Sequence, residues 1–194
     1  MGPGHSPTDR GLAARARLLE LLRALSFERR RVVLASGKES DFFIDCKQAV
    51  LTAEGHALVG ELVGSVLEGL PTRVAGVAGV ELGGCPLASA VSMASFRAGV
   101  PLDAIYVRKE AKGHGSQRRL EGGTRLAHGA AVALLEDVVT TGGSTLAAAS
   151  KLREAGFSIA GGVALVDRLE GGREAIEAAG LAFHALYTRA DFMT

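Results

Sequence analysis

The chain has 194 residues, enough for one domain with a substantial core, and its 47% hydrophobic and 22% charged residues lie near the globular norm. Those proportions exclude a disordered chain or a coiled coil, and 22 basic against 21 acidic residues, a formal charge of +1, exclude a surface given over to nucleic acid. No run approaches the roughly 18 apolar residues of a membrane span, and Cys46 and Cys85 lack metal-type or disulfide-framework spacing, so the expectation is a cytoplasmic protein without nucleic-acid or membrane partners.

Leu12 to Leu25 places leucines at helical spacing with arginines between them, which predicts an amphipathic helix packed on the main body. Arg31 to Ala35 and Phe42 to Asp45 read as short strands, so residues 12–50 form a small N-terminal flap of helix plus strands. Beyond it the pattern alternates. Helix Glu54 to Glu68 precedes strand Val74 to Val80, and helix Pro86 to Ala98 precedes strand Ala104 to Arg108. After a glycine-rich gap come strand Ala130 to Leu135, helix Ser144 to Ala155, strand Ile159 to Val166, helix Arg173 to Ala179 and a strand around Leu181 to Tyr187. Near-continuous apolar strands separated by helices predict a doubly wound α/β fold with a parallel sheet, in a single domain spanning 1–194.

Such sheets bind ligands beyond the carboxyl ends of their strands, so the residues after each strand carry the functional reading. Ala130 to Leu135 runs into Glu136-Asp137-Val138-Val139-Thr140-Thr141-Gly142-Gly143-Ser144. A glycine turn feeding a helix start offers backbone N–H groups and the positive end of the helix dipole to a phosphate, and the hydroxyls add donors. No lysine of a P-loop is present, and the loop is sized for one phosphate. Ionised carboxylates repel phosphate but accept hydrogen bonds from a diol, so a phosphate cradle beside two acids fits a ribose 5-phosphate. The bland alternative is a tight connection whose acids cap the next turn.

The string V-A-L-L-E-D-V-V-T-T-G-G-S-T resembles the phosphoribosyl pyrophosphate (PRPP) motif of the type I phosphoribosyltransferases. The resemblance implies that Glu136 and Asp137 hold the ribose hydroxyls while Val138 to Ser144, chiefly Thr140 to Ser144, surround the 5-phosphate. It also implies Mg²⁺ carried through PRPP rather than held by protein alone, because pyrophosphate beside two acids requires a neutralising hard cation.

Strand Ala104 to Arg108 leads into R-K-E-A-K-G-H-G-S-Q-R-R-L-E-G-G, whose glycines and lack of apolar residues predict a mobile loop. R-K-x-x-K-x-H-G at this place resembles orotate phosphoribosyltransferases. The likeness implies that Arg108, Lys109, Lys112 and His114 bind PRPP, some from the other subunit of a homodimer, with Lys112 most active at the leaving group and His114 and Asp137 in supporting catalytic roles. Basic residues point the same way: of 5 lysines against 17 arginines, four are Lys38, Lys47, Lys109 and Lys112.

S-G-K-E-S-D-F-F carries the base pocket in this resemblance. Adjacent Phe42 and Phe43 point to opposite sides of a strand, so one of them is free to border a planar ring, with Lys38 in the preceding turn meeting its charge. Arg168, after the next strand, and Thr140 join them as implied orotate contacts. One departure stands out: some family members carry a lysine where this chain has Gly83 in V-E-L-G-G-C-P-L. The implied activity is orotate plus PRPP giving orotidine 5-phosphate and pyrophosphate in pyrimidine biosynthesis. Its rivals are a purine phosphoribosyltransferase and a non-catalytic sensor of PRPP or nucleotides.

Overall fold

The computed structural model describes residues 7–33, 39–110 and 119–193. Helix α1 (Pro7–Leu25) is followed by four two-residue strands, β1 (Phe27–Glu28), β2 (Val32–Val33), β3 (Glu39–Ser40) and β4 (Phe43–Ile44). β1 pairs antiparallel with β4, and β2 with β3. A single-turn helix, α2 (Lys47–Val50), then leads to α3 (Ala53–Glu68), whose first turn is capped by the Thr52 hydroxyl accepting from the Gly55 N–H at 3.0 Å.

From there strands and helices alternate: β5 (Gly76–Val80), α4 (Gly84–Arg97), β6 (Asp103–Val107), β7 (Leu120–Gly122), β8 (Ala131–Val139), α5 (Gly143–Glu154), β9 (Ser158–Asp167), α6 (Gly172–Ala178) and β10 (Phe183–Thr188). They build one sheet in the order β10-β9-β8-β5-β6-β7, parallel except for β7, which pairs antiparallel with β6 at the edge. The parallel sheet and doubly wound α/β layering are as the sequence predicts. β5 is flanked by β6 on one side and β8 on the other. The winding therefore reverses at β5, and the crevice expected of such a reversal opens between the carboxyl ends of β5 and β8.

Both faces of the sheet are buried because successive strand residues point opposite ways. Val77, Ala133, Leu135, Val163 and Leu165 pack with Leu18 and Leu22 of α1, Val59 and Val63 of α3, and Leu87 and Val91 of α4. Their neighbours Ala78, Val132, Leu134 and Ala164 pack with Ala148 and Leu152 of α5 and Ile176 of α6. The N-terminal segment shares the first of these cores: Phe42, Cys46 and Ala49 belong to it. Tyr187 of β10 ties α1 down further, its hydroxyl donating to the Arg15 carbonyl at 2.6 Å.

The central acids and the loop stem lie differently from the sequence reading. β8 does not stop at Leu135. Its pairing with β9 runs on through Glu136↔Ala164 to Val139↔Asp167, so both acids lie inside the strand. Leu120–Gly122, read as part of an unstructured loop, is the edge strand β7. Of the strand expected over Arg31 to Ala35, Val32 and Val33 are in β2 and positions 34 and 35 lie outside the described residues.

Candidate active site

The crevice floor is the turn between β8 and α5. Gly142 is the residue before α5 and takes a left-handed conformation, φ +78°, while its carbonyl accepts the Leu146 N–H at 3.0 Å. Only a residue tolerant of positive φ makes this turn without strain. No side chain caps α5, so the N–H groups of its first turn are available to an anion together with the helix dipole.

Strand alternation separates the two acids. Glu136 turns towards α5, where the Ser144 hydroxyl donates to Oε1 at 2.5 Å and Thr145 reaches it at 3.5 Å. It is 6% exposed, and this burial, partly offset by the Ser144 hydrogen bond, pushes its pKa up to about 7. Asp137 turns the other way, towards the segments that hold Cys46 and Gly83. The Cys46 thiol lies 3.9 Å from the Asp137 carbonyl oxygen, and a Cβ on Gly83 would overlap the Asp137 carboxylate. A lysine at that position is therefore incompatible with Asp137 as it sits here. Burial also raises the Asp137 pKa, an effect opposed by the Val138 N–H at 2.9 Å and by the charge of Lys47. Lys47 itself is held by Asp45 at 2.5 Å, which raises the lysine and lowers the aspartate.

A third carboxylate completes the acidic side. Glu81, just after β5, accepts the Lys109 N–H at 2.8 Å. Burial, followed by the charges of Glu81, Glu136 and Asp137, lifts the Cys85 thiol to about 11, so all three acids are felt at one place.

Cations border these acids. Lys109 lowers the pKa of Glu136 against the burial effect. Arg108 reaches Glu121 at 3.4 Å, yet its buried Nε has no partner among the described residues. The same holds for Arg168 at the end of β9. Its Nη2 donates to the Phe42 carbonyl at 3.2 Å and Ser40 Oγ at 3.3 Å and pairs with Glu170 at 3.0 Å, while its buried Nε is unpartnered among the described residues. Buried donors without acceptors suit an anionic ligand.

Phe42 is fully buried, its ring 5.2 Å from Phe27 and 5.7 Å from Phe192, with the Arg168 guanidinium 5.4 Å above it. Phe43 is half-buried and carries the Arg30 guanidinium 3.9 Å from its ring centre. Of the two, Phe42 is the core residue that supports Arg168 and Phe43 is the one left at the surface. Lys38, Lys112 and His114 lie outside the described residues. Lys47, Glu170 and Lys151 enter this neighbourhood without having been assigned from sequence. Scarcity of lysine flags Lys47, whereas the contacts of Glu170 and Lys151 depend on residues distant in the chain.

No protein-family model matches the chain. Over 183 residues it is 66% identical to the orotate phosphoribosyltransferase of Sorangium cellulosum (strain So ce56), covering 94% of this chain and 95% of that one. Its fold matches Mycobacterium tuberculosis H37Rv orotate phosphoribosyltransferase in complex with Fe(III) dicitrate at a TM-score of 0.80 and 39% identity, covering 93% and 99% of the two chains. A structure of the mycobacterial enzyme in complex with 5-phospho-alpha-D-ribosyl 1-diphosphate (PRPP) matches at a TM-score of 0.77 and 34% identity, again covering 93% and 99%. Identity at this level, carried through nearly the full length of both relatives, means that the chain belongs to the orotate phosphoribosyltransferase family.

Proposed function

We propose that the protein transfers the 5-phosphoribosyl group of PRPP to orotate, forming orotidine 5-phosphate and pyrophosphate for pyrimidine biosynthesis. The observation that carries this is the end of β8: a buried Glu136 and a half-buried Asp137 feed a left-handed glycine turn and an uncapped helix start, in a chain whose Arg108 and Arg168 each keep a buried Nε without a partner among the described residues. Thr140 to Ser144 hold the 5-phosphate through backbone N–H groups and hydroxyls. Asp137, with free acceptor capacity, takes the ribose hydroxyls, and Glu136 acts beside it. Arg108 and Lys109 meet the pyrophosphate, and by family likeness Lys112 and His114 add charge and a proton at the leaving oxygen. Arg168 and Thr140 read the orotate anion, with Phe43 and Lys38 along the ring and Phe42 holding Arg168 from below.

The pyrimidine nitrogen forms its bond to C1 of the ribose as the C1–oxygen bond to pyrophosphate breaks, so positioning and charge stabilisation supply most of the acceleration. Glu81, Glu136 and Asp137 are hard oxygen donors, but among the described residues no three acids, histidines or cysteines form a group that could hold a metal ion, so Mg²⁺ would be carried by PRPP. When bound with PRPP, Mg²⁺ neutralises charge on the leaving pyrophosphate. The protein works as a homodimer in the cytoplasm, with residues 12–50 forming a flap over the base site and the basic loop reaching the neighbouring subunit. Among the described residues no helix is long and apolar enough to cross a membrane.

The direct test mixes protein, Mg²⁺, PRPP and orotate and follows loss of orotate absorbance, with uracil, adenine and xanthine in parallel. Turnover of orotate alone is expected. Purine turnover would replace the proposal with its purine rival, and binding of PRPP without any turnover would favour a sensor.

A further inference from the structure

Of the five lysines, Lys151 is the one outside the group of four that the sequence singles out, and it makes a contact that the site described above does not account for. Its Nζ donates to the carbonyl oxygens of Arg108 at 2.8 Å and Lys109 at 2.9 Å. These are the two residues that leave β6 for the basic loop. Their N–H groups are engaged as well: Arg108 donates to the Arg119 carbonyl at 2.9 Å, and Lys109 donates to Glu81 at 2.8 Å. All four backbone polar groups of the dipeptide are thus satisfied, by three different elements. A backbone fixed at every donor and acceptor cannot turn without breaking one of them, so the Cα–Cβ bonds from which the Arg108 and Lys109 side chains start are fixed with it.

The lysine comes from a telling place. Ser144 and Lys151 are seven residues apart on α5, two turns along one face of the helix. At the start of that face Ser144 holds Glu136; at its end Lys151 holds the exit of β6. One rigid helix therefore sets both the phosphate turn and the two cations proposed to meet the pyrophosphate. An ammonium group suits this task because its three donors can serve two adjacent carbonyls and keep one for water.

We propose that Lys151 is a positioning residue for PRPP. It clamps the Arg108–Lys109 backbone to α5 so that both side chains stand ready for the pyrophosphate. This rests on the phosphoribosyl-transfer reading above, and the test separates the two. Wild-type protein is assayed first with PRPP and orotate, and Lys151→Met and Lys151→Arg follow, each with its thermal midpoint and the amide exchange of Lys109. Lys151→Met keeps the alkyl stem, so the expected result is an unchanged midpoint, faster Lys109 exchange and a KM for PRPP raised about three- to tenfold, the range of one hydrogen-bonded charge at a half-exposed site. Because a guanidinium can also serve two carbonyls, Lys151→Arg should recover most of the loss while the KM for orotate stays level.

A Lys151→Met protein with unchanged KM for PRPP overturns the proposal, as does a rise in KM that Lys151→Arg fails to reverse. Unchanged Lys109 exchange denies the clamp itself. Absence of turnover in the wild type is a failure of the functional reading and takes the proposed role with it, while the exchange measurement still decides whether the clamp exists.

Discussion

Glu136 shows what one buried carboxyl group does to the whole protein. An ordinary glutamate titrates near 4.5, whereas burial raises Glu136 to about 7. Between those values the folded chain binds a proton that the unfolded chain has released, so its contribution to stability is complete below about 4.5 and is lost as pH rises through 7. A shift of this size corresponds to about 3 kcal/mol. In Glu136→Gln the group cannot ionise, so the expected outcome in metal-free protein is a variant that gains stability over wild type as pH rises from about 4.5 to about 7 and holds that gain above it. Denaturant midpoints of both proteins at several pH values check this, and parallel curves would show that Glu136 is ionised without penalty. The same burial explains why the acid belongs to a site for a cation-laden donor: a charge held against desolvation is relieved when opposite charge arrives.

Two adjacent glycines at the start of α4 separate folding from binding. A Cβ on Gly84 would overlap the Leu135 carbonyl of β8 and crowd Gly79 of β5, so the helix start lies directly on two strand backbones. Backbone cannot swing aside. Gly84→Ala should therefore push α4 off the sheet and cost about 1–3 kcal/mol, the range of overpacked cores, which a thermal melt will read. The nearest atoms that a Cβ on Gly83 would meet all belong to the carboxylate of Asp137, which can rotate away. Gly83→Ala should keep its melting midpoint close to wild type while raising the KM for PRPP, because the displaced carboxylate is the proposed partner of the ribose hydroxyls. Equal effects of the two changes on stability would remove this distinction.

The elements around these glycines also show what the sequence discloses. β5, β8 and β9 are legible as apolar runs, and α3 and α5 by their period, so the crevice and its glycine turn follow from pattern alone. The course of Glu136 and Asp137 is not legible, since polar residues close the apolar run while hydrogen bonding to β9 continues to Val139. β7 escapes for a similar reason: three residues, one of them glycine, become a strand only because β6 offers an edge. Lys151 and Arg108 stand 43 residues apart, and nothing local in either segment announces that they meet.

Assembly bears on whether one chain holds a complete site. Phe96 is 71% exposed, and Met93 and Val100 are also exposed, beside a cavity of about 640 Å³ that Phe96 and Met93 help to line at the edge of the sheet away from the acids. So much apolar surface on one flank accords with the homodimer proposed above. If the basic loop serves the neighbouring subunit, loop and acids of one active site come from different chains. Lys112→Ala alone should then lose most turnover while still binding PRPP, and Asp137→Asn alone should be similarly inactive. Mixed in equal amounts and allowed to exchange subunits, the two proteins form hybrid dimers in which one site takes an intact loop from one chain and intact acids from the other. Random pairing makes half the dimers hybrids with one good site in two, so about a quarter of wild-type activity should return. A loop that serves its own subunit leaves every site of every hybrid defective, and mixing then restores nothing. Subunit exchange, followed by sedimentation of differently tagged chains, establishes that hybrids formed and makes either result decisive.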